Sequence, residues 1–172
     1  MSKLISWAKM QEVRRVSDNN SKRFELISQE VEDLELSKLL GAKLYQQVSD
    51  DPEMYSDLLD ATGFTRCDGT TIKHKGLHYV ICYLIYAQYI LESDVADTFS
   101  GMVSKNLPNS QPLSTGRLKE LNQHYREIAF NAFALISEYL NTKTDEAKYA
   151  EWCSSNSSRV RKPIFYGIKK TY

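Results

Sequence analysis

Glycine and proline are both scarce in this chain of 172 residues, which contains seven glycines and four prolines. Proteins built from many short β-strands need frequent tight turns, and these two residues supply much of the geometry of such turns. Their scarcity argues against a β-sandwich and favours a mainly α-helical protein. The length suits one domain, and a chain of this size can bury roughly two-thirds of its unfolded surface.

Cysteine is also rare, and no apolar run is long enough to cross a membrane. Cys67, Cys82 and Cys153 are odd in number and widely spaced, so we expect no disulfide framework. The first residues, MSKLISWAKM, lack the pattern of a signal peptide, which predicts a protein of the reducing cytosol. The most apolar run extends from Tyr79 to Leu91, whereas a membrane-spanning helix needs about 20 residues.

Neither sign of charge is in excess, because the chain has 22 basic and 22 acidic residues. A bulk electrostatic argument for nucleic-acid binding is therefore absent. The distribution is nevertheless uneven, since residues 154–172 contain five basic residues and no acidic one. The remaining residues include 17 basic and 22 acidic ones, a net charge of −5. We divide the chain into a helical domain, residues 1–153, and a basic C-terminal arm, residues 154–172; residues 1–16 are either a short helix or an extended lead-in.

Two long helices are predicted at the centre of a helical bundle. The first spans about 78–92 and is apolar on all sides, which is typical of a helix that is buried all round. The second spans about 114–141, where apolar residues recur at intervals of three and four. This second stripe consists of Leu118, Leu121, Tyr125, Ile128, Ala132, Leu135 and Tyr139.

Shorter elements surround these two helices. An earlier helix is indicated by Phe24, Ile27, Val31 and Leu34 at helical spacing, with acidic residues on its solvated faces. Asp68-Gly69 predicts a small β-hairpin near 65–73. Residues 93–113 are predicted to form a long connector loop, and loops of this length tend to be functional.

No residue pattern of a known catalytic site is present, so we expect no enzyme and no cofactor. His74, His78 and Cys82 are four residues apart and are chemically plausible zinc ligands. However, His74 precedes the predicted helix and no fourth ligand is nearby, so we expect structural side chains rather than a metal site. His124 has no local partner in the sequence and is expected on the surface.

The tyrosines of the first central helix leave two interpretations open. Tyr79, Tyr83, Tyr86 and Ile90 form a second apolar face beside the main one. The helix is either enclosed by its own bundle, or its tyrosine face meets a neighbouring subunit. Tyrosine is enriched at subunit interfaces, so we predict Tyr79, Tyr83 and Tyr86 as interface residues.

The basic arm differs from a disordered tail because bulky apolar residues alternate with its charges. Disordered segments are generally poor in aromatic and β-branched residues. We therefore predict that the arm binds a partner protein as an extended strand. The predicted contact residues are Arg159, Arg161, Lys162, Ile164, Phe165, Tyr166, Ile168, Lys169, Lys170 and Tyr172.

Several stretches between about residues 5 and 141 together resemble the head–tail connector proteins of tailed bacteriophages, and are most similar to the adaptor or ring proteins of crAss-like and other Bacteroidetes-infecting phages. A leucine-leucine-glycine-x-x-leucine-tyrosine element is matched by Leu39, Leu40, Gly41, Leu44 and Tyr45. A glycine-leucine start to a tyrosine-rich helix is matched by Gly76, Leu77, Tyr83, Tyr86, Ala87 and Tyr89. A threonine-x-x-glycine-x-valine-x-lysine loop is matched by Thr98, Gly101, Val103 and Lys105. The sequence departs from the pattern at Gln88, where the family has arginine, and at Phe99, where proline is common.

The resemblance implies a non-catalytic structural protein of the virion, assembled in the host bacterial cytoplasm. It would form a homo-oligomeric ring, a dodecamer, that stacks on the portal protein, extends the DNA channel without sequence-specific binding, and docks tail or further neck proteins. Two alternatives come from other classes. A small helical nucleic-acid-binding protein would use the basic arm, and a metal-dependent enzyme would depend on the two histidines and the cysteine described above.

Overall fold

The computed structural model describes residues 4–14, 16, 21–66, 68–93, 95–98, 101–104, 114–143 and 145–152. The predicted C-terminal arm, two of the three cysteines and Lys105 lie outside these ranges. Within them the protein is mainly α-helical, as the sequence predicts.

Two long helices form the centre of the bundle, and the sequence predicts both of them to within one residue at each end. Helix α6 spans Leu77–Ser93 and helix α7 spans Thr115–Thr142. They pack against each other more extensively than any other pair of elements. Helix α7 begins after Ser114, whose hydroxyl accepts a hydrogen bond from the backbone N–H of Arg117 at 3.3 Å. This side-chain cap satisfies one of the amide groups left free at the start of a helix.

Five shorter helices precede this pair in the described part of the chain, and the first, second and fifth of them contact α6. They are α1 (Trp7–Val13), α2 (Ser21–Glu30), α3 (Ser37–Leu40), α4 (Ala42–Asp50) and α5 (Ser56–Leu59). A π-helical stretch, Val31–Leu36, joins α2 to α3. Gly41, with φ 83°, separates α3 from α4, which is the left-handed conformation that glycine adopts without a Cβ penalty. Helix α1 lies within residues 1–16, for which the sequence predicted either a short helix or an extended lead-in, so the structure supports the helix.

The π-helical stretch changes which side chains face the core. Phe24, Ile27 and Val31 are buried as predicted, but Leu34 is 52% exposed. A π-helical turn takes in more residues than an α-helical one, so the regular spacing that predicted a buried Leu34 does not continue through it. Glu32 points inward instead, and its carboxylate accepts a hydrogen bond from the backbone N–H of Leu4 at 3.3 Å. The prediction was therefore wrong both for Leu34 and for a fully solvated acidic face.

Two small antiparallel hairpins complete the described fold. Strands β1 (Gly63–Thr65) and β2 (Thr71–Lys73) form the predicted hairpin, with Phe64 opposite Ile72. Strands β3 (Val95–Thr98) and β4 (Gly101–Ser104) form a second hairpin inside the segment predicted to be a loop. The prediction of one long loop was wrong because β-branched and apolar residues on both sides of a two-residue connection suit a hairpin.

Candidate interaction surfaces

The tyrosine face of α6 is half-buried and contacts residues of the same chain. The rings of Tyr79 and Tyr83 are 4.6 Å apart, centroid to centroid. Tyr83 and Tyr86 both contact Tyr125 of α7, at 6.1 and 4.9 Å. The bundle thus covers part of this face, and the role of these tyrosines in a subunit interface stays a prediction.

Arg14, which follows α1, packs its guanidinium group against the rings of Tyr86 and Tyr125 in the same aromatic cluster. Its guanidinium carbon lies 4.2 Å from the ring centroid of Tyr86 and 4.4 Å from that of Tyr125. It also donates a 2.6 Å hydrogen bond from Nη2 to the Tyr125 hydroxyl. A cation between two aromatic faces is favourable, and the contact ties the segment after α1 to α6 and α7. The sequence pattern does not indicate this contact, because residues 14 and 125 are 111 positions apart in the chain.

A groove lies where the π-helical stretch approaches α7, and we call it the α2/α7 groove. Its volume is about 430 Å³, and it is open to solvent. Its lining residues are Glu30, Val31, Leu34, Glu35, Lys38, Leu39, Gln88, Arg126 and Phe130. Leu34 and Phe130, which both line it, are 52% and 36% exposed. In the sequence, the one indication of this groove is Phe130, an aromatic residue that lies outside the predicted core stripe of α7.

A bidentate ion pair fixes the two walls of this groove relative to each other. Nη1 and Nη2 of Arg126 lie 2.7 and 2.8 Å from the two carboxylate oxygens of Glu35. The guanidinium also lies 5.4 Å from the ring centroid of Phe130. Two parallel hydrogen bonds between planar groups restrict orientation as well as distance. The ion pair therefore holds the π-helical stretch and α7 in a fixed relative orientation at this groove.

The motif residues of the predicted connector loop belong to the second hairpin. Thr98 pairs with Gly101 and Ala96 pairs with Val103 across β3 and β4. Lys105, the last residue of that motif, lies outside the described residues, as do all the arm residues predicted to contact a partner. Nothing in the described part of the chain brings these two predicted sites together.

His74, His78 and Cys82 have separate surroundings. Nδ1 of buried His74 accepts a 3.1 Å hydrogen bond from the backbone N–H of Gly76, and burial lowers the pKa of the ring although the nearby Asp57 carboxylate acts to raise it. The ring nitrogens of His78 lie 3.1 Å from Asp60 Oδ1 and from the carbonyl of Leu4. Burial raises the pKa of the Cys82 thiol to about 12, so that it stays protonated at neutral pH. Among the described residues, no group of three or more such side chains could hold a metal ion.

Two further predictions from the sequence concern His124 and the apolar helices. His124 is exposed, as predicted. No helix among the described residues has both the length and the apolar character needed to span a bilayer.

The first two motifs of the resemblance contain residues that fix the junctions of the fold. Leu40 and Leu44 are buried on either side of Gly41, and the hydroxyl of Tyr45 donates a 2.8 Å hydrogen bond to Asp33. Gly76, with φ 82°, starts α6 so close to the preceding backbone that an added Cβ would lie 2.3 Å from the carbonyl oxygen of Leu59. These residue types are therefore required by the backbone at both junctions.

Comparison with known proteins gives one match. Neither the curated proteins nor the solved structures include a significant match to this chain. A family model described as a family of unknown function, DUF6712, matches residues 36–162. This match runs from the last residue of the π-helical stretch through the end of the described residues and extends into residues of the arm. The chain therefore belongs to DUF6712, a family of unknown function.

Proposed function

We propose that this protein is a structural component of the neck of a tailed bacteriophage. Its subunits form a homo-oligomeric ring, a dodecamer, that stacks on the portal protein and extends the DNA channel. The observation that carries the proposal is the order and spacing of three motifs between Leu39 and Lys105, which together resemble phage head–tail connector proteins. Each motif is short, and the combination carries more weight than any one of them.

The geometry of the motif residues supports treating the resemblance as more than shared composition. The glycines of the first two motifs, Gly41 and Gly76, both have positive φ and both stand at helix junctions. Ala87, from the same helix motif, is fully buried, and its carbonyl accepts a 2.8 Å hydrogen bond from the side-chain amide of Asn122 on α7. A chain that shares these residues at these positions is expected to share the bundle that they define.

The proposed ring assigns different partners to different parts of the chain. The half-buried tyrosine face of α6 contacts the adjacent subunit, with Tyr79 and Tyr83 presenting their outer edges to it. The hairpin Val95–Ser104 and the basic arm reach the portal protein, adjacent subunits, or tail and neck proteins. DNA passes through the ring without base recognition, since the domain of residues 1–153 has a net charge of −5 and offers no overall basic surface.

The experiment that tests this proposal is cryo-electron microscopy of phage particles whose genome encodes this chain, combined with mass spectrometry of the purified virions. We expect a ring of helical density between portal and tail into which the α6–α7 pair fits. Absence of the protein from intact virions would contradict the proposal. Finding it in the virion but outside the neck would contradict the proposed position.

One observation favours a second candidate, a nucleic-acid-binding protein that uses its C-terminal arm. That observation is the concentration of five basic residues in residues 154–172. Binding through phosphates alone would weaken steeply as salt is raised. Titration of the full chain with duplex and single-stranded DNA at two salt concentrations separates this candidate from the ring protein, for which we expect no tight DNA binding at physiological salt.

A further inference from the structure

His74, which follows strand β2 directly, is fully buried. Its Nδ1 accepts a 3.1 Å hydrogen bond from the backbone N–H of Gly76. A ring nitrogen that accepts carries no proton, so the single proton of the neutral ring is on Nε2. Nε2 is buried and has no hydrogen-bond partner in the described part of the chain. Buried polar atoms without a partner are uncommon, and this one belongs to a side chain that can gain a charge near physiological pH.

The hydrogen bond from Gly76 to Nδ1 holds the turn between the β1–β2 hairpin and α6. Gly76 leaves no room for a side chain beside the backbone of Leu59 and Asp60, at the end of α5. The backbone N–H of His74 donates a 3.1 Å hydrogen bond to the carbonyl oxygen of Thr62, which precedes β1. His74 therefore connects the base of the hairpin, through its backbone, to the start of α6, through its ring.

A second proton on the His74 ring would remove the hydrogen bond that holds this turn. Nδ1 is the only ring nitrogen that can accept the proton, and it would then become a donor that faces the N–H of Gly76. The Gly76 amide would lose its acceptor, and the charged ring would have two buried N–H groups without partners. Burying an unpaired charge costs far more than burying a neutral polar group. The closed junction therefore favours the neutral form of His74.

Aromatic rings, rather than an acid, pack against His74. The ring centroid of His74 lies 4.7 Å from that of Tyr139 on α7 and 6.2 Å from that of Phe64 on β1. Strand β1, Gly63–Thr65, contributes no titratable side chain. The titratable groups that surround or adjoin the ring are Asp57 of α5, Tyr139 of α7, Lys148 and Tyr149 of the 3₁₀ turn Ala147–Tyr149, and the neighbouring Lys73 and Lys75.

Among these groups only Asp57 could stabilise a positive charge on His74. Its carboxylate acts to raise the pKa of the ring, but burial lowers this pKa by more. The carboxylate already accepts hydrogen bonds from two tyrosine hydroxyls, and it lies 2.9 Å from Nζ of Lys148, whose charge offsets its own. Lys73 and Lys75 are exposed and would repel a second positive charge. A protonated His74 would thus have no compensating ion pair among the described residues.

We propose that His74 is a pH-sensitive switch that closes the junction between the β1–β2 hairpin and α6 at neutral pH and opens it in acid. When the hairpin moves away, the ring reaches water and takes up its second proton, so acid stabilises the open form. An exposed histidine titrates near pH 6.5. Because the closed form binds one proton fewer, the equilibrium constant for opening rises by up to about tenfold for each pH unit below that value.

The opening is local, because the parts of the fold on either side of the junction differ in how firmly they are held. The hairpin strands are only three residues long, and a two-stranded hairpin is marginally stable by itself. Helices α6 and α7, in contrast, pack against each other more extensively than any other pair of elements. The switch is a property of the single chain and does not depend on the proposed ring, whose test is read from the virion.

Amide hydrogen exchange of the full chain, followed residue by residue by NMR between about pH 7.5 and about pH 5, tests the proposal. Carboxylates stay ionised over most of this range. Exchange is expressed as protection factors, which remove the intrinsic pH dependence of exchange. We expect the protection factors of the Gly76 and His74 amides to be constant above about pH 6.5 and to fall by up to about tenfold per pH unit below it. The amide of Ala129, which is fully buried on α7, should keep its protection.

Two variants show whether His74 is the group responsible. In His74→Asn the side-chain oxygen can still accept a hydrogen bond from the amide two residues later, but the side chain cannot be protonated. We therefore expect the protection of Gly76 in this variant to be lower than in the wild type and independent of pH. In His124→Asn, which removes an exposed histidine on α7, we expect the pH dependence of the wild type.

Three results would overturn the proposal: wild-type protection at Gly76 that does not change with pH, an equal loss of protection at Ala129, which would mean global unfolding, or a pH dependence that persists in His74→Asn. If His74→Asn does not fold, the wild-type ring decides the question. Long-range ¹H–¹⁵N spectra should show His74 as the neutral Nε2–H tautomer for as long as Gly76 is protected. A charged His74 ring beside a protected Gly76 amide would overturn the proposal as well.

Discussion

The hydroxyl of Tyr149 donates a 2.9 Å hydrogen bond to Oδ1 of Asp57, ninety-two positions earlier in the chain. The same carboxylate accepts a hydrogen bond from the hydroxyl of Tyr139 on α7 and lies 2.9 Å from Nζ of Lys148. Asp57 belongs to α5, so one carboxylate joins three separate parts of the described fold. It ties the short 3₁₀ turn Ala147–Tyr149, near the end of the described residues, to the body of the bundle.

Replacing this carboxylate should destabilise the protein. In Asp57→Asn the two buried tyrosine hydroxyls and Lys148 face a neutral amide that accepts fewer hydrogen bonds. We expect a loss of about 3 kcal/mol in the free energy of unfolding, because each buried polar group left without a partner costs about 1–3 kcal/mol. Urea denaturation at neutral pH measures it, with Asp50→Asn as the control, since Asp50 is exposed and its carboxylate accepts hydrogen bonds from the exposed side chain of Gln46. Equal urea midpoints for the two variants would refute the role assigned to Asp57.

The same carboxylate predicts how stability depends on pH. Partial burial acts to raise the pKa of Asp57, but the hydrogen bonds from Tyr139, Lys148 and Tyr149 outweigh burial and lower it below its ordinary value of 3.8. A group whose pKa is lowered by folding stabilises the protein above the unfolded value, and this contribution is lost as the pH falls through the folded value. We therefore expect the wild type to lose stability below about pH 4 and Asp57→Asn to lose less over the same range. Parallel curves of unfolding free energy against pH for the two proteins would contradict this assignment.

Leu84 and Leu26 offer a matched test of which surfaces of the bundle are interior. Leu84 on α6 is fully buried, whereas Leu26 on α2 is 72% exposed. Truncating Leu84 to alanine should cost about 2–5 kcal/mol, since it removes buried apolar surface and leaves a cavity. The same change at Leu26 should alter the free energy of unfolding by less than about 0.5 kcal/mol. Thermal unfolding of both variants measures the difference, and a similar loss for both would show that the burial of α6 is wrongly described.

Replacing each of three glycines by alanine distinguishes the cost of backbone strain from the cost of steric overlap. Gly76 and Gly69 both have φ near 80°, but an alanine Cβ at Gly76 meets the backbone of Leu59 and Asp60, whereas at Gly69 it meets nothing within 4 Å. Gly69→Ala should therefore cost only the left-handed conformation, about 1–2 kcal/mol, and Gly76→Ala should cost clearly more. Gly116→Ala, in open space on α7, should instead stabilise by up to about 1 kcal/mol. Equal melting temperatures for the Gly69 and Gly76 variants would mean that α6 does not start against this backbone.

The sequence predicts those parts of the fold in which one strong pattern persists over many residues. Helices α6 and α7 follow from sustained apolar periodicity, and the hairpin near residue 68 follows from its Asp-Gly turn. The exposure of Leu34 could not be predicted, because a single stretch of π-helix changes the spacing without leaving a signature in residue type. The second hairpin was missed for a related reason: its strands are only four residues long, which is too short for alternation to stand out.

For the candidate surfaces too, some features can be predicted from the sequence and others depend on the tertiary structure. The tyrosine face of α6 was identified from spacing alone, but its partners Arg14 and Tyr125 depend on how distant segments pack. The α2/α7 groove combines residues from five helical elements, and its walls are joined by the Glu35–Arg126 ion pair between positions ninety-one residues apart. Only Phe130, an aromatic residue outside the core stripe, hinted at it. Sites assembled across a bundle thus need the tertiary structure, whereas sites within one helix do not.

Deleting the arm should separate folding of the body from its assembly. The buried core extends to Trp152, whose indole donates a 3.0 Å hydrogen bond to Asn141, so removing residues 154–172 takes away none of the contacts that define the described core. We therefore expect nearly unchanged helical content and melting temperature, measured by circular dichroism.

Assembly should respond differently, because the arm carries five positive charges and the rest of the chain a net charge of −5. Attraction between the arm of one copy and the body of another is therefore favourable, although it acts over only about 8 Å at physiological salt. We expect the truncated protein to be absent from virions when it is the only copy supplied. A full-length control in which the five basic residues are replaced by glutamine keeps the apolar side chains, and it should be incorporated at a reduced level if charge and apolar contact both contribute. Incorporation of the truncated protein at full occupancy would show that the subunits are held in the particle by the bundle alone, and that the arm has no part in assembly.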